Sequence, residues 1–244
     1  MFEHLTKNGP YSEATAAAFL RELAAALRFL HSNKIVHADL KPENLMLSSW
    51  DPGESKLKVV DFGSARPTGT IVDLSRRGAL GTSAYLPPEA IKRTERHGRA
   101  GGRGGRGGGE YSTEDAYVVT PALDMWAVGC ILYIMLCGAH PFDLEGTADE
   151  KSVLKRVRAG KVPLAGLGAS ISDSAKDLIS RLMARNPENR LTADEMLRHP
   201  WIRGRTAPER PLKGIDARLA RFRQVLSHKL EAGVVSMLVG GAMS

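Results

Sequence analysis

Only two cysteines occur in 244 residues, Cys130 and Cys137, and both fall in one apolar run. On a helix they would share a face but stand two turns, about 10 Å, apart along the axis, beyond disulfide reach. They read as buried thiols of a reducing compartment. The N-terminal "MFEHLTKNGPYSE" has no apolar core of the kind a secretory signal needs. Long hydrophobic runs are scarce as well. "MWAVGCILYIML", Met125 to Leu136, is the longest and is too short to span a bilayer. No D-x-D-x-D-G calcium loop is present. Together these absences point to an intracellular, cytoplasmic protein with no membrane partner.

Acidic charge is short overall, with a net charge of +7, but the excess is local. Residues 91–110 carry +4 and residues 203–244 carry +5, which leaves −2 for everything else. The basicity belongs to an insert and a tail, so the body has no call for a nucleic-acid partner. The insert "HGRAGGRGGRGGG", His97 to Gly109, is too glycine-rich to offset its ordering entropy and is expected to be disordered. Its Arg99, Arg103 and Arg106 have no aromatic between them for base stacking, which argues against RNA binding.

With 43% hydrophobic residues the chain can bury a sizeable core. Ser12 is placed to cap a helix in which Phe19, Leu23, Ala26, Leu27 and Leu30 repeat at helical spacing, ending at Asn33. "KIV" (Lys34 to Val36), "LML" (Leu45 to Leu47) and "LKVV" (Leu57 to Val60) read as short strands, the last two joined by a turn holding Asp51, Pro52 and Gly53. Residues 61–88 show no period and are expected to be ordered but irregular. From Asp124 to Leu136 the pattern is apolar on all sides, as in a fully buried helix. Further helices are expected over 147–159, 172–185 and 192–198, the last opened by a capping box of Thr192 and Glu195.

The chemistry concentrates in "HADLKPENLML", His37 to Leu47. A strand–loop–strand holds side chains more rigidly than a free loop. Within it Asp39 can orient a hydroxyl and accept its proton, Lys41 supplies a fixed positive charge, and Asn44 offers an amide oxygen suited to magnesium. One strand later "DFG", Asp61 to Gly63, places a second carboxylate at a strand end, beside a glycine free to take unusual backbone angles. These groups suit a metal-bound phosphate and an incoming hydroxyl, because phosphoryl transfer is mostly positioning and charge neutralisation.

"HADLKPEN" followed by "DFG" resembles the catalytic loop and metal-binding motif of the eukaryotic protein kinases. "GTSAYLPPE" (Gly81 to Glu89) resembles the end of the kinase activation segment. "DMWAVGC" (Asp124 to Cys130) resembles the central helix of the large lobe. "NPENR" (Asn186 to Arg190) resembles the motif whose Arg pairs with the activation-segment Glu. The resemblance implies a mainly α fold, the large (C-terminal) lobe of a kinase with short β-strands around the catalytic loop, over residues 1–202. It implies a Ser/Thr kinase that uses ATP and magnesium on a protein substrate. Asp39 and Lys41 would be catalytic. Asn44 and Asp61 would hold magnesium, Lys41 would contact the transferred phosphate, Glu43 would lie near the ribose, and Met46 and Val60 would floor the adenine pocket. Thr82 favours Ser/Thr over Tyr specificity. Glu89 and Arg190 would form a partly buried ion pair, whose disruption costs about 3–5 kcal/mol. Asp124 would hold the catalytic-loop backbone, and His37 reads as a structural histidine.

Three departures stand out. No Gly-rich phosphate loop, strand Lys or partner-helix Glu precedes the catalytic loop, so the small lobe is expected to be absent. The match of Gly102, Gly104 and Gly107 to G-x-G-x-x-G follows no strand and is accidental. Pro87 replaces the usual Ala before Pro-Glu, a mild change because the Glu does the pairing. The tail, Leu212 to Leu238, carries Leu219, Phe222, Leu226 and Leu230 among Arg218, Arg221, Arg223 and Lys229. This basic amphipathic helix resembles the regulatory segment of calcium/calmodulin-dependent kinases. It reads either as an autoinhibitory or calmodulin-binding element, with calmodulin or another calcium sensor as partner, or as a helix packed on the body. A truncated, non-catalytic binding module is the alternative to an active enzyme.

The remaining departure is Ala38, which stands where most family members carry an Arg that grips an activation-segment phosphate. Phosphorylating Thr68, Thr70 or Ser75 is therefore expected to change activity little. A large gain in a full-length enzyme on loop phosphorylation would count against this expectation.

Overall fold

In the computed structural model the described residues are 11–49, 55–76, 78–91, 116–212, 214–215 and 217–224. The first element, α1 (Glu13–Ser32), begins where Ser12 accepts a hydrogen bond from the Thr15 N–H at 3.1 Å. It ends at Asn33. Phe19, Leu20, Leu23, Ala24 and Leu27 form its buried stripe. Three hairpin-like pairs follow. Strand β1 (Ile35–Val36) pairs with β4 (Arg66–Pro67), and β2 (Leu45–Leu47) pairs with β3 (Leu57–Val59). Strand β5 (Ile71–Asp73) pairs with β6 (Ala116–Val118). All three pairs are antiparallel.

Helix α2 (Ala122–Cys137) is the axis of the core. Every residue from Leu123 to Cys137 is buried, because α1, α4 and the turn 164–167 close on it from different sides. Such an envelope demands an all-round apolar sequence. It also demands Gly129, where a Cβ would run into Met183 at the end of α4. Cys130 and Cys137 are free and buried, and burial pushes both thiols up in pKa. Helices α3 (Glu150–Ala159), α4 (Asp173–Leu182) and α5 (Ala193–Arg198) are N-capped by Asp149, Ser172 and Thr192. The capping box of Thr192 and Glu195 is formed as the sequence predicts.

Two features differ from the sequence reading. The stretch 61–88 is not wholly irregular, since β4 and β5 lie within it. Strands of two or three residues carry too few alternations to leave a period. Helices α3 and α4 are shorter than 147–159 and 172–185, because Asp149 caps the first and Met183 leaves helical geometry after the second. The apolar core also continues past Ile202. Ala207, Leu212, Ile215, Leu219 and Phe222 are buried in the same cluster as α2. Leu219 and Phe222 belong to a helix over residues 217–224. Its Arg218 donates to the Gly166 carbonyl at 3.0 Å, and its Arg221 pairs with Glu145 at 2.8 Å. The turn at 51–53, the insert at 97–109, Leu226 and Leu230 lie outside the described residues. Among those described, no helix is long and apolar enough to cross a membrane.

Three distant parts of the chain meet at one buried carboxylate. Glu13, 1% exposed, accepts from Trp201 Nε1 at 2.7 Å, from the Ser172 hydroxyl at 2.6 Å and from the Ser172 N–H at 2.9 Å. Removing it strands the buried Trp201 Nε1–H and two half-buried Ser172 donors, and a buried donor left unpaired costs about 1–3 kcal/mol. We expect Glu13→Ala to lower unfolding free energy by about 3 kcal/mol or more in urea titrations, and Glu13→Gln to lower it less.

Candidate active site

The site is built on the turn after β1 and on the open end of the β2–β3 hairpin. The turn is possible because Ala38 takes a left-handed backbone, φ 63°, uncommon for a residue with a side chain. Asp124 of α2 stabilises it: one carboxylate oxygen accepts from the His37 N–H and the other from the Ala38 N–H, both at 2.9 Å. His31 Nε2 closes on the same carboxylate at 2.9 Å. The His37 ring is fully buried and has both nitrogens engaged. Its Nδ1 accepts from the Asp39 N–H at 3.3 Å and its Nε2 donates to the Val60 carbonyl at 3.1 Å. That makes His37 a brace between the turn and the residue preceding Asp61, matching its structural reading.

Asp39 projects from this turn with a 9% exposed side chain. Its Oδ2 takes a bond from Lys41 Nζ at 2.8 Å and its Oδ1 one from the Thr82 N–H at 2.7 Å. Lys41 also reaches the Thr82 hydroxyl at 3.1 Å, closing a triangle of carboxylate, ammonium and hydroxyl. Thr82 can approach this closely because Gly81 precedes it, where any Cβ would meet the Ala38 carbonyl and the Asp39 carboxylate. Burial pushes the Asp39 carboxyl up in pKa. The hydrogen bonds from Lys41 and Thr82 and the Lys41 charge outweigh it and hold the group below the usual carboxylate range.

The hairpin register pairs Leu45 with Val59, and the Val60 N–H donates to the Asn44 carbonyl at 3.0 Å. Asn44 and Asp61 therefore flank the same end of the hairpin. Asn44 Nδ2 is committed to the Asp39 carbonyl at 2.8 Å, which leaves its amide oxygen as the atom offered to a cation. Asp61, also left-handed at φ 64°, is exposed, and its Oδ1 accepts from the Gly63 N–H at 3.3 Å. Two hard oxygen donors on neighbouring strand ends suit magnesium, which is commonly held by one or two protein groups plus phosphate and water. Among the described residues no group of three or more His, Cys, Asp or Glu side chains could cage a metal, so an ion here would draw its remaining ligands from a bound molecule.

The remaining predicted residues occupy the rim. Glu43 is half-buried in the 3-10 turn Pro42–Asn44. Met46 and Val60 share the hairpin's outer face by alternation and are 52% and 36% exposed. Phe62 is also exposed, with its ring centroid 5.0 Å from that of His37. Behind the site, Arg190 is fully buried at its side chain and grips Glu89 through both nitrogens, at 2.8 and 3.2 Å. It also donates to the Ala184 and Ala122 carbonyls and lies over the Trp126 ring. The predicted ion pair is thus formed with its remaining donors satisfied. Sequence reasoning did not find the contacts on the far side of Thr82. The Ser83 hydroxyl bonds Glu150 at 2.5 Å, and His140 bonds the Ala84 carbonyl.

A turn that presents an ionised carboxylate, a lysine and a threonine beside an Asn–Asp pair holds the kinds of group that phosphoryl transfer calls for. Residues 1–202 match the protein kinase domain family, and the chain belongs to that family. Among the similar proteins are serine/threonine-protein kinases and calcium-dependent protein kinases. It is 37% identical over 217 residues to serine/threonine-protein kinase PKZ1 of Phytophthora infestans, covering 83% of this chain and 48% of that protein. It is 33% identical over 229 residues to calcium-dependent protein kinase 19 of Arabidopsis thaliana, covering 92% and 36%. It is 37% identical over 203 residues to serine/threonine-protein kinase DCLK2 of Mus musculus, covering 83% and 23%. The chain spans half or less of the length of these relatives.

The state of Asp39 carries a pH signature. A carboxyl whose folded pKa lies below its unfolded value, about 3.9, adds stability that is complete above that value and is lost as pH falls through the folded pKa. Urea midpoints measured at pH 6 and pH 3 should therefore fall further in the wild type than in Asp39→Asn. Equal falls would show that the Lys41–Thr82 cradle does not favour the ionised form.

Proposed function

We propose that residues 1–202 form the large, mostly helical lobe of a Ser/Thr protein kinase, with residues 203–244 as a basic tail. In the intact enzyme this lobe transfers the γ-phosphoryl group of ATP to a Ser or Thr hydroxyl of a protein substrate. The observation that carries the reading is the Asp39–Lys41–Thr82 triangle set against Asn44. Asp39 aligns the hydroxyl and takes its proton. Its depressed pKa keeps it ionised, and Thr82 fixes its rotation. Lys41 holds positive charge beside the same carboxylate, where charge builds up during transfer. Asn44 and Asp61 hold magnesium, Glu43 lies toward the ribose, and Met46 and Val60 floor the adenine. Bound ATP and magnesium supply the transferable phosphoryl group and the neutralising charge.

Met46 and Val60 present exposed apolar surface on one face of the hairpin, which the nucleotide and the small lobe would cover. This chain alone would therefore bind magnesium–ATP weakly, and a non-catalytic binding module is the second reading. In the tail, Leu219 and Phe222 are already buried on the core. Capture of residues 212–238 by calmodulin or another calcium sensor would have to strip them off, which favours the packed-helix role for residues 217–224.

The test is a phosphoryl-transfer assay on a Ser/Thr peptide library, in the intact enzyme and in this chain, each compared with Asp61→Ala. In the intact enzyme the substitution should cut turnover by about 100-fold or more. Equal turnover would overturn the assignment of Asp61. Transfer by the intact enzyme with none by the isolated chain would leave the chain a binding module.

A further inference from the structure

The segment Thr82–Leu86 meets the His37–Asn44 turn along one edge only. Its inner edge is fixed by Thr82 on Asp39 and Lys41. Beyond Thr82 the chain makes a single 3-10 turn, Ser83–Tyr85, closed by Tyr85 N–H to the Thr82 carbonyl at 3.0 Å and Leu86 N–H to the Ser83 carbonyl at 3.2 Å. The next carbonyl, of Ala84, would look for a donor three or four residues on. Those residues are Pro87 and Pro88, and neither has an N–H. A carbonyl left facing the protein interior without a donor is costly, so a partner must come from elsewhere.

His140 supplies it. Its ring lies in the loop after α2, 8% exposed, and Nε2 sits 3.1 Å from the Ala84 carbonyl. Nδ1 accepts from the Phe142 N–H at 3.3 Å. That bond fixes the tautomer: Nδ1 carries no proton, so Nε2 carries it and donates to Ala84. The ring also meets Tyr85 edge-on, centroids 5.4 Å apart at 87°. Behind it Phe142 stacks on Trp126, the ring over which Arg190 lies. His140 thus ties the segment that flanks Asp39 to the aromatic wall of the core.

We infer that His140 is a positioning residue for the protein substrate, holding Thr82–Leu86 in place with the hydrogen bond that Pro87 and Pro88 cannot make. The inference rests on the kinase reading for its consequence in substrate binding, but its structural half is testable without turnover. Two substitutions separate the ring's two bonds. In His140→Gln the longer amide can still reach Ala84 with a donor. In His140→Asn the short side chain can still accept from the Phe142 N–H but falls short of Ala84.

Amide hydrogen exchange is read at Thr82, Tyr85 and Leu86, with α2 amides as the control for global stability. His140→Asn should speed exchange at those three amides about tenfold with α2 unchanged, and His140→Gln should stay near wild type. The opposite order, or equal effects of the two substitutions, would show that the ring merely caps the 140–142 turn and would overturn the inference. In the intact enzyme His140→Asn should raise peptide KM about fivefold or more while kcat and the KM for ATP hold. A matching change in the KM for ATP would also overturn it. If the intact wild type transfers no phosphate, the kinase reading fails by itself, and the exchange experiment still decides whether His140 orders the segment.

Discussion

A carboxylate inside an apolar helix is expensive unless its oxygens are fully engaged. Asp124 sits near the start of α2, 1% exposed, where its neighbours are Leu123, Met125 and Trp126. Its oxygens are engaged by two backbone N–H groups of one turn and by the His31 ring from α1. The dependence runs both ways. Without the turn, Asp124 would be a buried charge with most of its partners gone. Without Asp124, the His37 and Ala38 N–H groups would be orphaned and the left-handed Ala38 would lose its support. Asp39, two residues after His37 on the same turn, inherits its position from this exchange. Through His37 the same constraint reaches the Val60 carbonyl and so the base of Asp61. One buried acid therefore locates both halves of the candidate site, although it touches neither Asp39 nor Asp61 through its side chain.

What could be read in the sequence follows from how local each interaction is. The turn from His37 to Asn44 stood out because its parts lie within eight residues and their chemical types are unusual together. Helix α2 was legible because burial on every side leaves an uninterrupted apolar run. The Glu89–Arg190 pair and the role of Asp124 were legible only through the family resemblance, since their partners are 101 and about 90 residues away. The strands β4 and β5 were too short to leave a pattern. Glu150 and His140 escaped notice because one accepts from a serine and the other donates to a backbone carbonyl, and neither contact marks the sequence at the position it serves. A signal was present all the same: two consecutive prolines announce that the carbonyls before them need donors from outside. The tail shows the converse limit. The spacing of Leu219 and Phe222 foretold an apolar face, but not which surface would cover it.

Ala38, a departure from the family pattern, has a packing role of its own. Where a long cation would reach for a phosphate, this chain has a methyl group, 4% exposed. That methyl belongs to a second apolar cluster, separate from the one around α2. Its buried members are Val36 of β1, Ala38 of the turn, Leu80 of the following segment, Ala90, Tyr117 and Val119, and Leu123 of α2, with Val72 and Leu74 packed against them. The segment between Asp61 and Glu89 thus enters the fold through Leu80 and the flank of β5, and β5 is paired with β6 in register. Apolar contact is not screened by salt and does not depend on a modifying enzyme. Such a cluster orders the segment whenever the protein is folded, whereas an Arg–phosphate clamp orders it only on demand. The Asp39–Thr82 bond then forms as a consequence of folding. Gly81 allows it by leaving room against the Ala38 carbonyl, so one small residue on each side of the contact, Ala38 and Gly81, lets the His37–Asn44 turn and the Thr82 segment close directly, with Lys41 bridging the same two residues.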